Sequence, residues 1–168
     1  MIYTSLINTP LGAMTACANE NALTGLWFIG QKYYPKDTST WIDAPSHPAF
    51  KALQEWLTGY FAGAGNRPLP VLEPSGTAFQ KAVWDILLEI PYGYVTTYGE
   101  IAKKLAALKG LASMSAQAVG GAVGHNPISI VIPCHRVIGS GGNLTGYAGG
   151  LDKKRALLQL EQAESKES

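Results

Sequence analysis

The tightest constraint on this chain is the stretch Ile128-Ser-Ile-Val-Ile-Pro-Cys-His-Arg-Val-Ile138. β-branched apolar residues drive into Pro133-Cys134-His135-Arg136-Val137, and the chain comes out into Gly139-Ser-Gly-Gly142. An apolar run before a proline predicts a buried strand or extended segment. A cysteine at the end of such a run is held with little backbone freedom. The histidine and arginine that follow both favour a thiolate nearby, and the thiolate is the nucleophilic form. Any fold for this chain must bury the run and still deliver something to Cys134.

With 168 residues, 46% hydrophobic and 15% charged, the chain is globular and long enough for one ordinary domain or two small ones sharing a core. It contains no stretch of apolar residues long enough for a membrane span. The start, Met1-Ile-Tyr-Thr-Ser-Leu6, lacks the basic, apolar and small-residue parts of a signal peptide, so a cytoplasmic location is expected. Cys17 and Cys134 are far apart and make no disulfide framework; both are expected as free thiols. With His47, His125 and His135 they also make poor zinc spacing, so no metal is expected.

The formal net charge is +1, but it is unevenly spread. Residues 1–74 carry a net −1, whereas residues 96–155 carry a net +5 and include the cysteine. That asymmetry permits nucleic-acid contact. On charge alone, a solvated surface with ordinary lysines is the better account.

The N-terminal part predicts a small antiparallel meander, with strands over Ile2–Ile7, Met14–Ala18 and Ala22–Ile29 and a turn at Thr9-Pro-Leu-Gly12. Gly30–Pro48 is expected as an irregular connection. Phe50, Leu53, Trp56, Leu57, Tyr60 and Phe61 fall at helical spacing, predicting a helix on one sheet face that Gly63-Ala-Gly-Asn-Arg-Pro68 ends. The boundary falls at Val71–Gly76, giving an N-terminal α/β domain over residues 1–74 and a second domain over 75–168.

In the second domain Thr77-Ala-Phe-Gln80 and Thr97-Tyr-Gly-Glu100 are capping-box patterns that open helices. A third helix is predicted over about Met114–Val123, after the turn Lys109–Ser113. Two short helices around a glycine-containing turn suggest a helix-turn-helix. Gly120 and Gly121 inside the third helix each cost about 1 kcal/mol relative to alanine. Close packing explains them, and so does a need to approach another backbone, such as a nucleic-acid phosphate. Leu144–Gly150 is a glycine-rich loop carrying Tyr147, either a contact for a planar ligand or a lid on the core. The last helix is predicted over Leu151–Gln162, with Leu151, Ala156, Leu157, Leu158 and Leu160 as its apolar residues. The chain from Glu161 to Ser168 reads as a frayed tail, with Glu161 itself a candidate for the ordered helix.

On these residues alone, Cys134 could be a buried structural cysteine, a protease-like nucleophile or an alkyl acceptor. In an extended segment His135 would point away from it.

The segment Pro133-Cys-His-Arg-Val137, with Asn126-Pro127 upstream and Gly146-Tyr-Ala-Gly-Gly150 downstream, resembles the O6-alkylguanine-DNA alkyltransferases (methylated-DNA–protein-cysteine methyltransferases). The likeness runs from about Thr77 to Glu161. It includes Phe79-Gln-x-x-Val-Trp84, Ile90-Pro-Tyr-Gly93, Thr97-Tyr-Gly-Glu-Ile-Ala102, Ala118-Val-Gly-Gly-Ala122 and Leu157-Leu-x-x-Glu161. Pro10-Leu-Gly12 is the clearest piece of the weaker N-terminal match. The resemblance implies an α+β fold: a small ribonuclease-H-like N-terminal sheet with a helix, then a mostly helical winged helix-turn-helix domain. It implies minor-groove binding to double-stranded DNA, rotation of an O6-alkylguanine out of the stack, and single-use transfer of its alkyl group to Cys134. O4-alkylthymine is a second candidate lesion. His135 would act through water as the base and Glu161 would polarise it. Asn126 would brace the turn, and Tyr147 would bind the guanine and donate a proton as it leaves. Backbone groups of Cys134, Val137 and Ala148, with Gly149 beside them, would read the base edge. Tyr98 would crowd the 3′ phosphate, and Gly139–Gly142 would form the wing. Arg136 is counted with the residues around the base, and its expected work is holding the turn in shape. No metal or cofactor is implied, and a monomer is expected.

One position departs from the pattern. Many family members carry an arginine before Ala-Val-Gly-Gly to fill the space left by the flipped base; here it is Gln117. Binding is therefore expected to be weaker, with its salt dependence coming from lysines such as Lys103 and Lys104. Two rival functions are a DNA-binding lesion sensor, which would not need a nucleophile at Cys134, and a thiol hydrolase, which would need an oxyanion hole the sequence does not place.

Overall fold

A computed structural model describes residues 1–65 and 67–161. The expected tail beyond Glu161 therefore lies outside the described residues, as does Asn66 of the stretch that ends the first helix. The chain divides into two units: Met1–Ser75 with Pro127–Val131, and Gly76–Asn126 with the chain from Ile132. No described helix is long and apolar enough to cross a membrane.

In the first unit, strands β1 (Tyr3–Thr9), β2 (Gly12–Ala18) and β3 (Leu23–Phe28) form the meander. Thr9 pairs with Gly12, so Pro10-Leu11 makes a two-residue hairpin loop. The Thr9 hydroxyl donates to Gly12 O at 2.7 Å and accepts from Leu11 N at 3.1 Å. The stretch expected to be irregular holds one short strand, β4 (Ile42–Asp43), which runs parallel to β1 and completes the order β3-β2-β1-β4.

Helix α1 (Pro48–Phe61) buries Phe50, Leu53, Trp56, Leu57 and Tyr60. Pro48 starts it, where a missing N–H costs nothing, and His47 Nδ1 accepts the Ala49 amide at 3.0 Å. The other sheet face carries Trp27 of β3 and side chains from the loop after it. Trp27 lies over Gly25, where a Cβ would meet its ring at 2.1 Å. Trp41 stacks on Trp27, and the Tyr34 and Thr15 hydroxyls lie 2.7 Å apart. The free edge of β3 takes two short segments: Leu23 bridges to Leu72, and Leu26 to Ile128.

In the second unit, helix α2 (Ala78–Leu88) opens with the full reciprocal capping box of Thr77 and Gln80. Trp84 is buried and donates its indole N–H to Ala122 O at 2.9 Å. Strand β5 (Thr96–Thr97) leads into helix α3 (Tyr98–Lys109), where the Thr97 hydroxyl accepts the Glu100 amide. Gly110, at φ +68°, ends α3; its amide and that of Leu111 return to Ala107 O and Ala106 O. This is a Schellman stop. Helix α4 (Ala116–Gly124) begins two residues later than predicted, because the Ser115 hydroxyl, not Met114, caps it by accepting the Ala118 amide at 3.1 Å. Helices α3 and α4 with this turn form the helix-turn-helix. Strand β6 (Val137–Ile138) pairs in parallel with β5, which places the start of α3 beside the cysteine turn. Helix α5 (Leu151–Glu161) closes the unit.

The apolar run before Cys134 differs from a simple strand. Only Ile128 pairs, with Leu26, and the chain then turns through Ser129–Val131. Val131 N donates to Ser129 O and Cys134 N to Ile132 O, each at 2.8 Å. Three-residue turns of this type fold the run back on itself.

Candidate active site

Cys134 opens a single 3-10 turn, Cys134–Arg136, and is 6% exposed. Pro133 (φ −81°, ψ 64°) fixes the approach. Asn126, at the end of the α4 segment, is buried and donates from Nδ2 to Ile132 O at 2.8 Å. Its side chain also hydrogen-bonds the thiol. Burial pushes the Cys134 thiol pKa above its ordinary value, while Asn126 and the nearby charge of Lys154 pull it down. The thiol at rest is therefore protonated. Cys17 makes a poor competitor, since burial drives its thiol up to about 12 against a hydrogen bond from Thr4.

The nearest candidate base is next to Cys134 in sequence. Because Cys134–Arg136 is a tight turn, the extended-chain objection to His135 does not apply. His135 is fully buried, and its Nε2 lies 2.7 Å from Glu161 Oε2. Burial drives the imidazole pKa down despite Glu161, so the ring is neutral. An ionised carboxylate only accepts, so Nε2 carries the proton and Nδ1 carries the lone pair.

Glu161 is anionic. Burial alone would raise its pKa, but hydrogen bonds and charge from His135 and Arg136 outweigh burial and hold it well below the usual carboxylate range. Arg136 Nε donates to Glu161 Oε1 at 2.8 Å and Nη2 to Oε2 at 3.0 Å. Its Nη1 donates to Ile90 O at 2.6 Å, and the guanidinium lies over the Tyr92 ring. Its donors are thus engaged in tying α5 to the cysteine turn and to the end of the α2 segment.

Tyr98, the first residue of α3, donates its hydroxyl to Thr145 O at 3.2 Å. A Cβ on Gly120 would meet the Tyr98 ring at 3.8 Å, an ordinary contact, and one on Gly121 would meet nothing within 4 Å. Close packing within the protein therefore requires neither glycine. Gln117 is exposed in the first turn of α4. Tyr147, Ala148 and Gly149 are half-buried on the loop before α5, where Gly150 N donates to Tyr147 O at 2.9 Å. Val137 is buried behind the cysteine turn. Gly139–Gly142 forms a tight turn, with Gly141 and Gly142 at φ +87° and +88°.

Lys154 is the residue that sequence reasoning missed. It is fully buried, and its Nζ donates to Val137 O and Thr145 O at 2.6 Å and to Gly146 O at 3.1 Å. It straps both ends of the wing and the base of the Tyr147 loop to α5. Burial lowers its pKa to about 8, and the nearby Cys134 opposes that shift. The signal was in the spacing: Lys154, Leu157, Leu158 and Glu161 form one helical face, and these are the buried residues of α5. The predicted apolar face included Leu151, which is exposed.

A helix-turn-helix and a buried Cys134–His135–Glu161 constellation thus stand in one unit. Residues 78–163 match the model of the 6-O-methylguanine DNA methyltransferase DNA-binding domain, and residues 2–69 match that of its ribonuclease-like domain. A methylated-DNA–protein-cysteine methyltransferase of Mycobacterium tuberculosis is 45% identical over 97% of this chain and 94% of its own. One of Methanosarcina acetivorans is 41% identical over 95% and 98%. A crystal structure of Mycobacterium tuberculosis OGT in complex with DNA superposes with a TM-score of 0.82 at 42% identity, covering 96% of this chain and 92% of that one. The chain belongs to the 6-O-methylguanine DNA methyltransferase family.

Proposed function

We propose that this protein repairs DNA by moving an alkyl group from O6 of guanine in a duplex to Cys134. The observation that carries the assignment is the fully buried His135–Glu161 hydrogen bond one residue from the thiol. The Cys134 proton passes through a water to His135 Nδ1. The sulfur then displaces O6 at the alkyl carbon, so that a carbon–sulfur bond forms as the carbon–oxygen bond breaks. Tyr147 donates a proton to the departing guanine. Glu161 stabilises the imidazolium, and Arg136 keeps Glu161 ionised and in place. The thioether is stable and no group in the turn hydrolyses it, so each molecule acts once.

Helix α4 enters the minor groove, and its bare Gly120–Gly121 face lets the helix backbone approach the DNA. Tyr98 crowds the 3′ phosphate and helps rotate the nucleotide, a step needed because O6 chemistry cannot proceed inside the stack. Gln117 fills the vacated space, the backbone around Val137, Ala148 and Gly149 reads the base edge, and the Gly139–Gly142 turn tracks the DNA backbone as a wing. O6-alkylguanine is the substrate, with O4-alkylthymine as a second lesion. The protein works as a monomer in the cytoplasm.

The test is Cys134→Ser. It should abolish transfer from an O6-methylguanine duplex and retain duplex binding. Loss of both would make Cys134 a structural residue, and retained transfer would move the acceptor elsewhere.

A further inference from the structure

Ile130 adopts a backbone conformation that its side chain opposes. It is β-branched, wholly buried and at φ +71°, in the left-handed region. Among the described residues only Tyr33, on an exposed loop, shares a positive φ without being glycine. A β-branched residue there crowds its own carbonyl. The hydrogen bond across it, Val131 N to Ser129 O at 2.8 Å, closes a γ-turn of the strained, positive-φ kind. Such a conformation persists only where its surroundings over-determine it.

The contacts that hold it can be named. Leu26 N donates to Pro127 O at 2.8 Å, and Ser129 N donates to Leu26 O at 2.9 Å, docking the segment on the edge of β3. The Ser129 hydroxyl, buried, donates to Gln31 Oε1 at 3.3 Å. Gln31 is also buried, and the same oxygen accepts the Phe28 amide at 2.8 Å, so the acceptor is itself fixed. Beyond the strained residue, Ile132 O is held by Asn126 and accepts the Cys134 amide. Pro133 has a locked φ. Few soft torsions therefore separate the strained turn from the sulfur. An in-line displacement loses rate steeply when its nucleophile shifts by about 1 Å.

We propose that Gln31 and Ser129 are a positioning pair that clamps the Ile130 turn and, through the four residues that follow Ile130, sets the line along which the Cys134 sulfur attacks. This rests on the acceptor role given to Cys134. A glycine at position 130 would adopt this φ without strain; the isoleucine is held there by its neighbours.

The experiment compares wild type, Ser129→Ala, Ser129→Thr and Gln31→Leu in single-turnover methyl transfer from an O6-methylguanine duplex. Three quantities are read: the rate constant at saturating DNA, the half-saturating DNA concentration, and the melting temperature. Ser129→Ala should slow the saturated rate roughly tenfold with half-saturation unchanged, Gln31→Leu should do the same, and Ser129→Thr, which keeps the hydroxyl, should restore the rate. An unchanged saturated rate in folded Ser129→Ala overturns the proposal. So does equal slowing by alanine and threonine, which would make the effect one of volume. If Ser129→Ala does not fold, Gln31→Leu decides by the same criterion. If the wild type transfers nothing, the acceptor role of Cys134 fails instead, so the two failures are distinguishable.

Discussion

His135 donates its Nε2 proton to Glu161 across 2.7 Å, with both side chains shut away from water. That contact fixes the tautomer and leaves the lone pair on Nδ1. Glu161 also takes two hydrogen bonds from Arg136, so one carboxylate both orients the imidazole and anchors the turn. Glu161→Gln removes the charge and strands a buried guanidinium. Loss of one partner from a buried pair costs about 3–5 kcal/mol, so the variant should melt well below wild type. Transfer at a temperature where it is still folded should fall by roughly two orders of magnitude with DNA affinity retained. Single-turnover assays and binding titrations check this, and wild-type transfer in the folded variant would remove Glu161 from the relay.

Acid should destabilise the protein in two stages. The folded His135 pKa lies below its unfolded value of about 6.5. The unfolded chain therefore takes up the proton first, and stability falls as pH drops below that value. The folded Glu161 pKa is depressed as well. Its contribution is complete above about 4.3 and is lost as pH falls towards the folded value. Urea midpoints from pH 7.5 to pH 5 should decline for wild type and decline less for His135→Gln, which cannot titrate. Parallel curves for the two proteins would contradict a neutral, buried imidazole.

Lys154→Met should leave three carbonyls without their donor and remove the positive charge beside the thiol. Because that charge lowers the Cys134 pKa, alkylation of Cys134 by iodoacetamide should require higher pH in the variant. The difference should shrink above about pH 8, where Lys154 itself loses its proton. Overlapping rate–pH curves for the two proteins would show that the lysine only straps the loop.

Gln117→Arg should tighten duplex binding and speed transfer, because a planar cation replaces a neutral amide in the emptied stack. Each added phosphate contact steepens the dependence of log affinity on log salt by about 0.9. Anisotropy titrations across salt concentrations read both effects. If affinity, slope and rate are all unchanged, Gln117 is not the residue that fills the gap.

Local signals carried much of this architecture. Thr77 and Gln80 form the capping box their spacing announced, and the aromatic stripe of α1 packs as its period requires. Glu161 was singled out because the resemblance extended to it. Lys154 was hidden by its type, since a lysine reads as surface until three carbonyls are seen converging on it. Ile130 was hidden for a different reason. β-branched residues favour strands, and only tertiary contacts with Leu26 and Gln31 hold the turn. Gly120 and Gly121 carried no such signal, because whether a Cβ would be crowded there depends on neighbours that only the fold brings near.

The central claim is that Cys134 takes one alkyl group and keeps it. Intact-protein mass spectrometry after mixing with excess O6-methylguanine duplex tests it most directly, with peptide mapping to locate the adduct. A single added methyl per protein, on the peptide containing Cys134, with an equal amount of guanine restored, is the predicted result. No adduct, an adduct on Cys17, or more guanine restored than protein present would contradict it.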